Sequence, residues 1–548
     1  MDATTDVTPP TFLRASAQVS VITALARIAG FARWIVLAVA VGTTYLGNTY
    51  QTANWVPNIV FDLAAGGVLS AVFVPTFIRA LSGASGTRQS QNRGVRELGV
   101  SRERALHVAS ALANTFLLAS VPLVVGALVF AHPIMRALTA GVADPVVRAK
   151  EVARGAWFLY FFAPQIPLYV LAMVLTGVLH AHRRFAVPAA APLVSSLVVI
   201  ASYLTFGAMG AGAELGTVTH AQLWVLAGGT TFGVVVLAFS QLPSVLRLGF
   251  RWRAVLGWRD SDVRGAIKAG TYGMAFFAVT TAGLLVTLEL ANRVEGGVVA
   301  FRVAYAFFEL PKALVGLPIA VAILPALSER FNARDDAAFA RLVSNGWRAA
   351  VFAAAPAGAG LFVLAPAISA AMLGHSPTGA APELVAATLR GLALGIPAFV
   401  LVEPLARSFY ARRDTRTPVA WNGAGFAVFT AVVLAATVAL HPHGGRALEV
   451  IGGATAIGQW AAIAVGVAML ASAVRAWPVP GDAGSAVRSV GAAAVMGTVV
   501  WLVAHALAGR PVIASIAGVV AGALVYGGLS IRSGELKRTV TLLREAHI

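Results

Sequence analysis

Leu175-Thr-Gly-Val-Leu-His-Ala-His-Arg-Arg-Phe-Ala-Val-Pro188 returns 230 residues later as Leu405-Ala-Arg-Ser-Phe-Tyr-Ala-Arg-Arg-Asp-Thr-Arg-Thr-Pro418. Each copy closes an apolar run, carries a double arginine, and ends on a proline that opens the next apolar run. Self-similarity at a long offset marks a duplicated architectural unit. Working outward, Arg154-Gly155 echoes Arg390-Gly391, Pro122 and Pro133 echo Pro356 and Pro366, and the Pro57…Pro75 helix echoes Pro311…Pro325. The offset falls from about 250 to about 230 because the first copy holds the longer loop at 82–103. The echoes keep one order along the chain, so the halves are expected to be parallel repeats around a central cavity, related by an axis along a membrane normal.

What flanks these strings sets the solvent. Of 548 residues, 58% are hydrophobic and 12% charged, with mean hydropathy +0.79. Soluble domains carry roughly 25% charged residues, so there is too little charge to clothe soluble cores of this total size. Crossing a bilayer takes roughly 20 apolar residues. That ruler finds about fourteen spans, near 15–43, 50–80, 104–131, 154–181, 187–207, 222–246, 267–291, 298–325, 346–366, 384–411, 417–440, 449–474, 486–508 and 511–531. The expected fold is an all-α polytopic membrane protein. A disordered tail at 1–12 precedes a six-helix lobe at 13–247 and a second at 248–475. Two further helices at 476–532 and a cytoplasmic tail at 533–548 complete it.

The net charge of +18 is spread over short loops. The loop at 79–104 holds Arg79, Arg88, Arg93, Arg96, Arg102 and Arg104, and the loop at 247–268 holds Arg247, Arg251, Arg253, Arg259, Arg264 and Lys268. By the positive-inside rule this skew puts both termini in the cytoplasm. Dispersed basic loops form no single face, which argues against nucleic acid as a partner. Cysteine is absent, which removes disulfides and thiolate metal sites. Residues Met1 to Thr11 lack the basic start of a cleavable signal, and the apolar run after them exceeds an h-region. No phosphate loop, zinc motif or nucleophile motif stands out, and no cofactor is expected.

Charges left inside apolar spans need water or a partner, because an arginine at a helix centre costs about 2.5–3.5 kcal/mol on insertion scales. Arg27 and Arg33 lie in Ala26-Arg-Ile-Ala-Gly-Phe-Ala-Arg33, about 15 and 24 Å into a helix that begins near Ala17. Two guanidinium forks suit phosphate oxygens. Pairing with Asp62 or Glu309, or snorkelling of Arg33 to the outer face, is the structural alternative. Asn54, Asn58 and Asp62 share a face at four-residue spacing, which points to a cavity or to hydrogen bonds between helices. The eighth span holds Arg302, Glu309 and Lys312 between or beside Pro311 and Pro318. Glu309 and Lys312, three apart, are able to pair or to meet a ligand.

The motifs Ala26-Arg-Ile-Ala-Gly-Phe-Ala-Arg33, Val56-Pro-Asn-Ile59, Gly66-Gly-Val-Leu-Ser-Ala-Val-Phe-Val-Pro75, Glu309-Leu-Pro311 and Ala322-Ile-Leu-Pro-Ala-Leu-Ser328 resemble those of the MurJ/MviN lipid II flippases. That family belongs to the multidrug/oligosaccharidyl-lipid/polysaccharide exporter superfamily. The resemblance implies two six-helix lobes plus two extra helices, and transfer of lipid-linked peptidoglycan precursor to the outer leaflet. It implies that Arg27 and Arg33 are the family's essential first-span arginines and Glu309 its eighth-span glutamate. The chain departs from the pattern at Trp34, where the family usually has Asp, and at Phe61, where many members have Arg. It departs again at Gly66 in place of an acidic residue and at Ala306 in place of Arg. These losses resemble a divergent, actinobacterial-type branch. The eleventh span offers Asn422 but no carboxylate, so no sodium site is expected.

The expected function is therefore lipid II flipping by alternating access. Arg27, Arg33, Asn54, Asn58, Asp62, Arg302, Glu309 and Lys312 are the candidate substrate-binding residues. The polyprenyl tail would run along spans thirteen and fourteen, and membrane lipids and cell-wall synthesis proteins are the expected partners. The alternatives are a flippase for another lipid-linked glycan, a cation-coupled drug exporter, a nontransporting cell-wall scaffold, and a membrane enzyme acting on polyprenyl phosphate. A cavity arginine pair disfavours cationic drugs, and no clustered Asp or His motif supports the enzyme.

Overall fold

The computed structural model describes residues 9–64, 95–210, 213–249, 252–253, 255–256, 281–374, 376, 378, 381–479 and 481–539. Described residues are helical or in connecting turns, bends and irregular segments, with no strand among them. The helices are α1 (Pro9–Ala40), α2 (Tyr45–Ala64), α3 (Val95–Val129), α4 (Ala131–Leu138), α5 (Pro145–Phe162), α6 (Gln165–Ala181), α7 (Ala186–Ala208), α8 (His220–Phe239) and α9 (Leu242–Arg247). After them come α10 (Thr281–Ala291), α11 (Gly297–Pro311), a π-turn (Lys312–Gly316), α12 (Leu317–Asn332), α13 (Asp336–Leu373), α14 (Pro382–Ala393) and α15 (Ile396–Ala411). The chain ends with α16 (Thr417–Leu440), α17 (Gly444–Ala473), α18 (Asp482–Ala506) and α19 (Pro511–Arg532).

Among the described residues, ten helices are long and apolar enough to cross a membrane, or up to twelve if each of two bent pairs is one span. The second and seventh of the fourteen expected spans, 50–80 and 267–291, lie partly outside the described residues. So do the terminal tails, most of the loop at 82–103, and most of 248–280, where the second lobe was expected to begin.

The chain divides into two compact units. One comprises Met1–Val41, Thr49–Ala140 and Asp144–Thr281, and the other Gly42–Asn48, Gly141–Ala143 and Ala282–Ile548. In the first, α7 packs between α1 and α8, and α6 against α3 and α8. Its core includes a buried polar knot. The Tyr50 hydroxyl shares hydrogen bonds with the Tyr203 hydroxyl (2.9 Å) and the Thr230 hydroxyl (2.5 Å), while Phe158 and Phe162 meet the Tyr50 ring edge-on. Buried polar groups in a membrane protein must find partners inside the fold, and this knot ties α2, α7 and α8 together.

In the second unit the helices close on glycine. A Cβ at Gly452 of α17 would stand 2.7 Å from the Thr388 carbonyl oxygen of α14, and one at Gly458 2.8 Å from the Gly425 carbonyl oxygen of α16. Small residues allow this approach, which is how helices associate where lipid supplies no hydrophobic drive. Helices α18 and α19 dock on α13. Met496, Val500 and Tyr526 join Ala355 and Leu364 in one core, and the Tyr526 hydroxyl donates to the Phe352 carbonyl (2.7 Å). Two acidic clasps brace the same helices. Asp482 accepts from Arg348 Nε (2.7 Å), the Ser344 hydroxyl (2.6 Å) and Val479 N–H (3.0 Å). Glu535 accepts from the Ser485 hydroxyl (2.8 Å), Arg488 and Arg538.

The two strings that open the sequence reading fold alike. Each closes a helix pair interrupted after about a dozen and a half residues or fewer, α5–α6 in one case and α14–α15 in the other, and each pair begins with proline in its first turn. Arg183 and Arg413 both take a left-handed conformation, with φ of 56° and 61°. Arg184 N–H then bonds back to the Leu179 carbonyl (2.8 Å), and Asp414 N–H to the Phe409 carbonyl (3.1 Å). That bond spans five residues and closes the helix end in the manner usually reserved for glycine. Arginine bears the steric cost at a helix C-terminus, where the carbonyl dipoles favour a cation. Arg334, with φ of 57° and the Asp335 N–H to Arg330 carbonyl bond (3.1 Å), repeats the device after α12.

Candidate functional site

The candidate residues fall into two groups, one per unit. In the first unit, Arg27 lies exposed on α1 and Arg33 is half-buried a turn and a half further on. The Arg33 guanidinium sits 5.0 Å from the centre of the Trp34 ring, and its Nε is buried with no acceptor among the described residues. An aromatic face holds a cation without neutralising it. Trp34 therefore steadies Arg33 at the position where the resemblance calls for a carboxylate, and leaves its charge available.

Helix α2 carries the polar face that the spacing predicts. Asn54 is buried, with Oδ1 unmatched among the described residues, and its carbonyl accepts from Asn58 Nδ2 (2.8 Å). Asn58 Oδ1 takes the Tyr169 hydroxyl of α6 (2.8 Å), so this asparagine bonds between helices. Sequence reasoning missed Gln51, fully buried one turn before Asn54, whose two amide atoms also meet no partner among the described residues. Its place on the same face, at three- and seven-residue spacing from Asn54 and Asn58, was the available signal. Asp62 lies at the end of α2, and its side chain is outside what is described.

In the second unit, Pro311 and Pro318 lack two backbone donors, and between them the helix widens. Leu317 N–H bonds back five residues to the Lys312 carbonyl, which defines a π-turn over Lys312–Gly316. Gly316 lets this turn close on α15, since a Cβ there would stand 2.8 Å from the Val400 carbonyl oxygen. Lys312 thereby reaches Glu403, with Nζ 3.3 Å from Oε1. Its carboxylate partner is on α15, and Glu309, the neighbour expected from spacing, remains exposed. Arg407, one turn beyond Glu403, approaches its other oxygen at 3.7 Å. Arg302 is half-buried on α11. Glu403 and Arg407 escaped the sequence reading, although charges four apart in an apolar span are themselves a signal.

The family model described as lipid II flippase MurJ matches residues 37–519. The chain belongs to the MurJ family. Among similar MurJ proteins, one from Burkholderia cenocepacia described as lipid II flippase MurJ is 26% identical over 413 residues, covering 74% of each chain. One from Rhizobium meliloti, described as a probable lipid II flippase MurJ, is 26% identical over 431 residues, covering 78% of this chain and 76% of its own. The fold agrees with a solved lipid II flippase MurJ in an inward closed conformation, at a TM-score of 0.74 and 19% identity over 94% of this chain and 99% of that one. An inward-facing multidrug resistance MATE family transporter of the MOP superfamily shares the fold at a TM-score of 0.61 and 14% identity, over 83% and 96%.

Proposed function

We propose that this MurJ-family chain carries lipid II from the inner to the outer leaflet by alternating access, with Arg27 and Arg33 receiving the diphosphate. The single observation that carries the site assignment is Arg33. Its guanidinium lies within a membrane helix, is steadied by a ring, meets no acid among the described residues, and keeps a buried donor unmatched among them. Such a group suits an anion brought from outside the fold.

The polar face of α2, with Gln51, Asn54 and Asn58, suits the neutral sugar and amide groups of the headgroup. Both termini lie on the cytoplasmic side in this reading, as the basic loops require. The polyprenyl tail follows the apolar surfaces of α18 and α19, where Val487, Val490, Val519 and Leu524 are all exposed. Cell-wall synthesis proteins are the partners that would use the product.

The test is depletion of the resident flippase followed by rescue with this chain, read as lipid II accessible at the outer leaflet. Arg27→Ala and Arg33→Ala should each abolish accessibility at normal protein levels. Full accessibility with both replaced would sink the assignment.

A further inference from the structure

We propose that Lys312 and Arg407 form a second site for a diphosphate-bearing lipid headgroup, within the second unit, and that Glu403 fills it as an exchangeable counter-ion. The idea rests on the flippase reading for the source of the headgroup, but its geometry is independent of Arg27 and Arg33.

Among the described residues two cations share one carboxylate here, a surplus positive charge inside membrane-spanning helices. Placing charge there is costly, and a structural bridge between α15 and the π-turn would need only one cation. The second is poorly served. A guanidinium has five donors, whereas Arg407 has one carboxylate oxygen at 3.7 Å, beyond hydrogen-bond length, and its buried Nε meets no acceptor among the described residues.

Aromatic faces hold both cations without cancelling them. Lys312 Nζ lies 4.4 Å from the centre of the Phe399 ring, and the Arg407 guanidinium carbon 5.7 Å from that of Tyr410. The three charged side chains are 30%, 21% and 27% exposed for Lys312, Glu403 and Arg407, so the cluster is reachable. A carboxylate bridging a lysine and an arginine occupies the place that two phosphate oxygens would take. A diphosphate carries more charge and more acceptors than Glu403, and it can use the arginine donors that Glu403 leaves idle. The π-turn supplies the register, because irregular helix turns of this kind recur at functional sites.

The test uses the full chain in phosphatidylcholine nanodiscs, with undecaprenyl diphosphate, inorganic pyrophosphate and phosphatidylglycerol as separate probes. Glu403→Gln removes the competing anion and should tighten undecaprenyl diphosphate and pyrophosphate by about tenfold, whereas Lys312→Gln and Arg407→Gln should each weaken them by about tenfold. Phosphatidylglycerol should change little. Unchanged or weaker diphosphate binding in Glu403→Gln overturns the proposal, as does an equal response from phosphatidylglycerol. If Glu403→Gln does not fold, the two cation variants decide, since each leaves Glu403 one partner, and undiminished binding in both overturns the site. Unaltered binding in these variants, with transport still lost on replacing Arg27 and Arg33, removes the second site alone. Altered binding with transport intact after those replacements removes the flippase assignment of the arginines and leaves this site standing.

Discussion

Asp482→Ala tests what holds α18 to α13. The carboxylate is 10% exposed and accepts from Arg348 Nε at 2.7 Å, the Ser344 hydroxyl at 2.6 Å and the Val479 N–H at 3.0 Å. Alanine removes the acceptor of all three hydrogen bonds. Breaking a buried ion pair by deleting one member costs about 3–5 kcal/mol. Arg348 is 22% exposed and able to turn toward water, which places this loss at the lower end, about 3 kcal/mol. Asp482→Asn keeps the shape and one acceptor, so it should lose about half as much. The assay uses the chain's lack of cysteine. A Cβ built on Gly497 of α18 stands 3.8 Å from Ala359 Cβ of α13, close to the mean separation across a disulfide. Ala359→Cys with Gly497→Cys should therefore crosslink on mild oxidation, and adding Asp482→Ala should reduce the crosslinked fraction and lower the unfolding midpoint. Unchanged crosslinking and a stability loss under 0.5 kcal/mol, as for an ordinary surface change, would refute the claim that this clasp docks the helix.

Adjacent glycines make a matched pair. Gly452→Ala puts a Cβ 2.7 Å from the Thr388 carbonyl oxygen and 2.9 Å from Leu392 N, so it should destabilise by about 1–3 kcal/mol. Gly453→Ala meets nothing within 4 Å and should be neutral or stabilising by up to about 1 kcal/mol, both read from unfolding of purified protein. Arg413→Gly relieves a left-handed arginine and should raise stability by about 0.5 kcal/mol, after the strain released is offset against the freer unfolded chain. A loss above 1 kcal/mol would mean that the side chain matters more than the backbone. Acid should loosen the ends of α16 and α19. Burial raises the carboxyl of Glu535, but the Ser485 hydroxyl, Arg488 and Arg538 outweigh it and hold the group below its ordinary 4.5. Burial likewise raises Asp414, and hydrogen bonds from Thr417 and the Arg416 backbone, with the Arg412 charge, hold it below 3.8. Because the folded values are the lower ones, the stabilisation is complete above the unfolded values and disappears as pH falls through the folded ones. Stability of the wild type should thus fall below about pH 4.5, and Glu535→Gln should flatten that fall.

The fold was legible because lipid leaves few solutions. Apolar runs of the right length had to be helices, and the two double-arginine strings each end a helix on a left-handed arginine, Arg183 and Arg413. The site was less legible, because a residue's partner depends on helix phase. Glu309 and Lys312 are three apart on an ideal helix, yet the turn between Pro311 and Pro318 is not ideal, and Lys312 faces Glu403. Gln51 was hidden for the opposite reason. An amide inside a polar-looking stretch, Asn48-Thr-Tyr-Gln-Thr52, gives no sign from its type alone that it is fully buried.

The departures from the family's charge pattern have a physical reading. Where the resemblance implies an acid beside Arg33 this chain has Trp34, whose ring keeps the guanidinium in place without neutralising it. Ala306 is different. It is 8% exposed, between the buried Ala304 and Phe307, so a guanidinium at that position would have to displace packed side chains or enter the core unpaired. The packing of α11 leaves no open site for a cation at this position. Lys312 stands six residues on, past the proline, where the widened helix brings its side chain to α15 and leaves it partly exposed. A site for an anionic cargo requires positive charge that is accessible and incompletely neutralised, and the proposed site at Lys312 and Arg407 offers it, since among the described residues these two cations divide a single carboxylate.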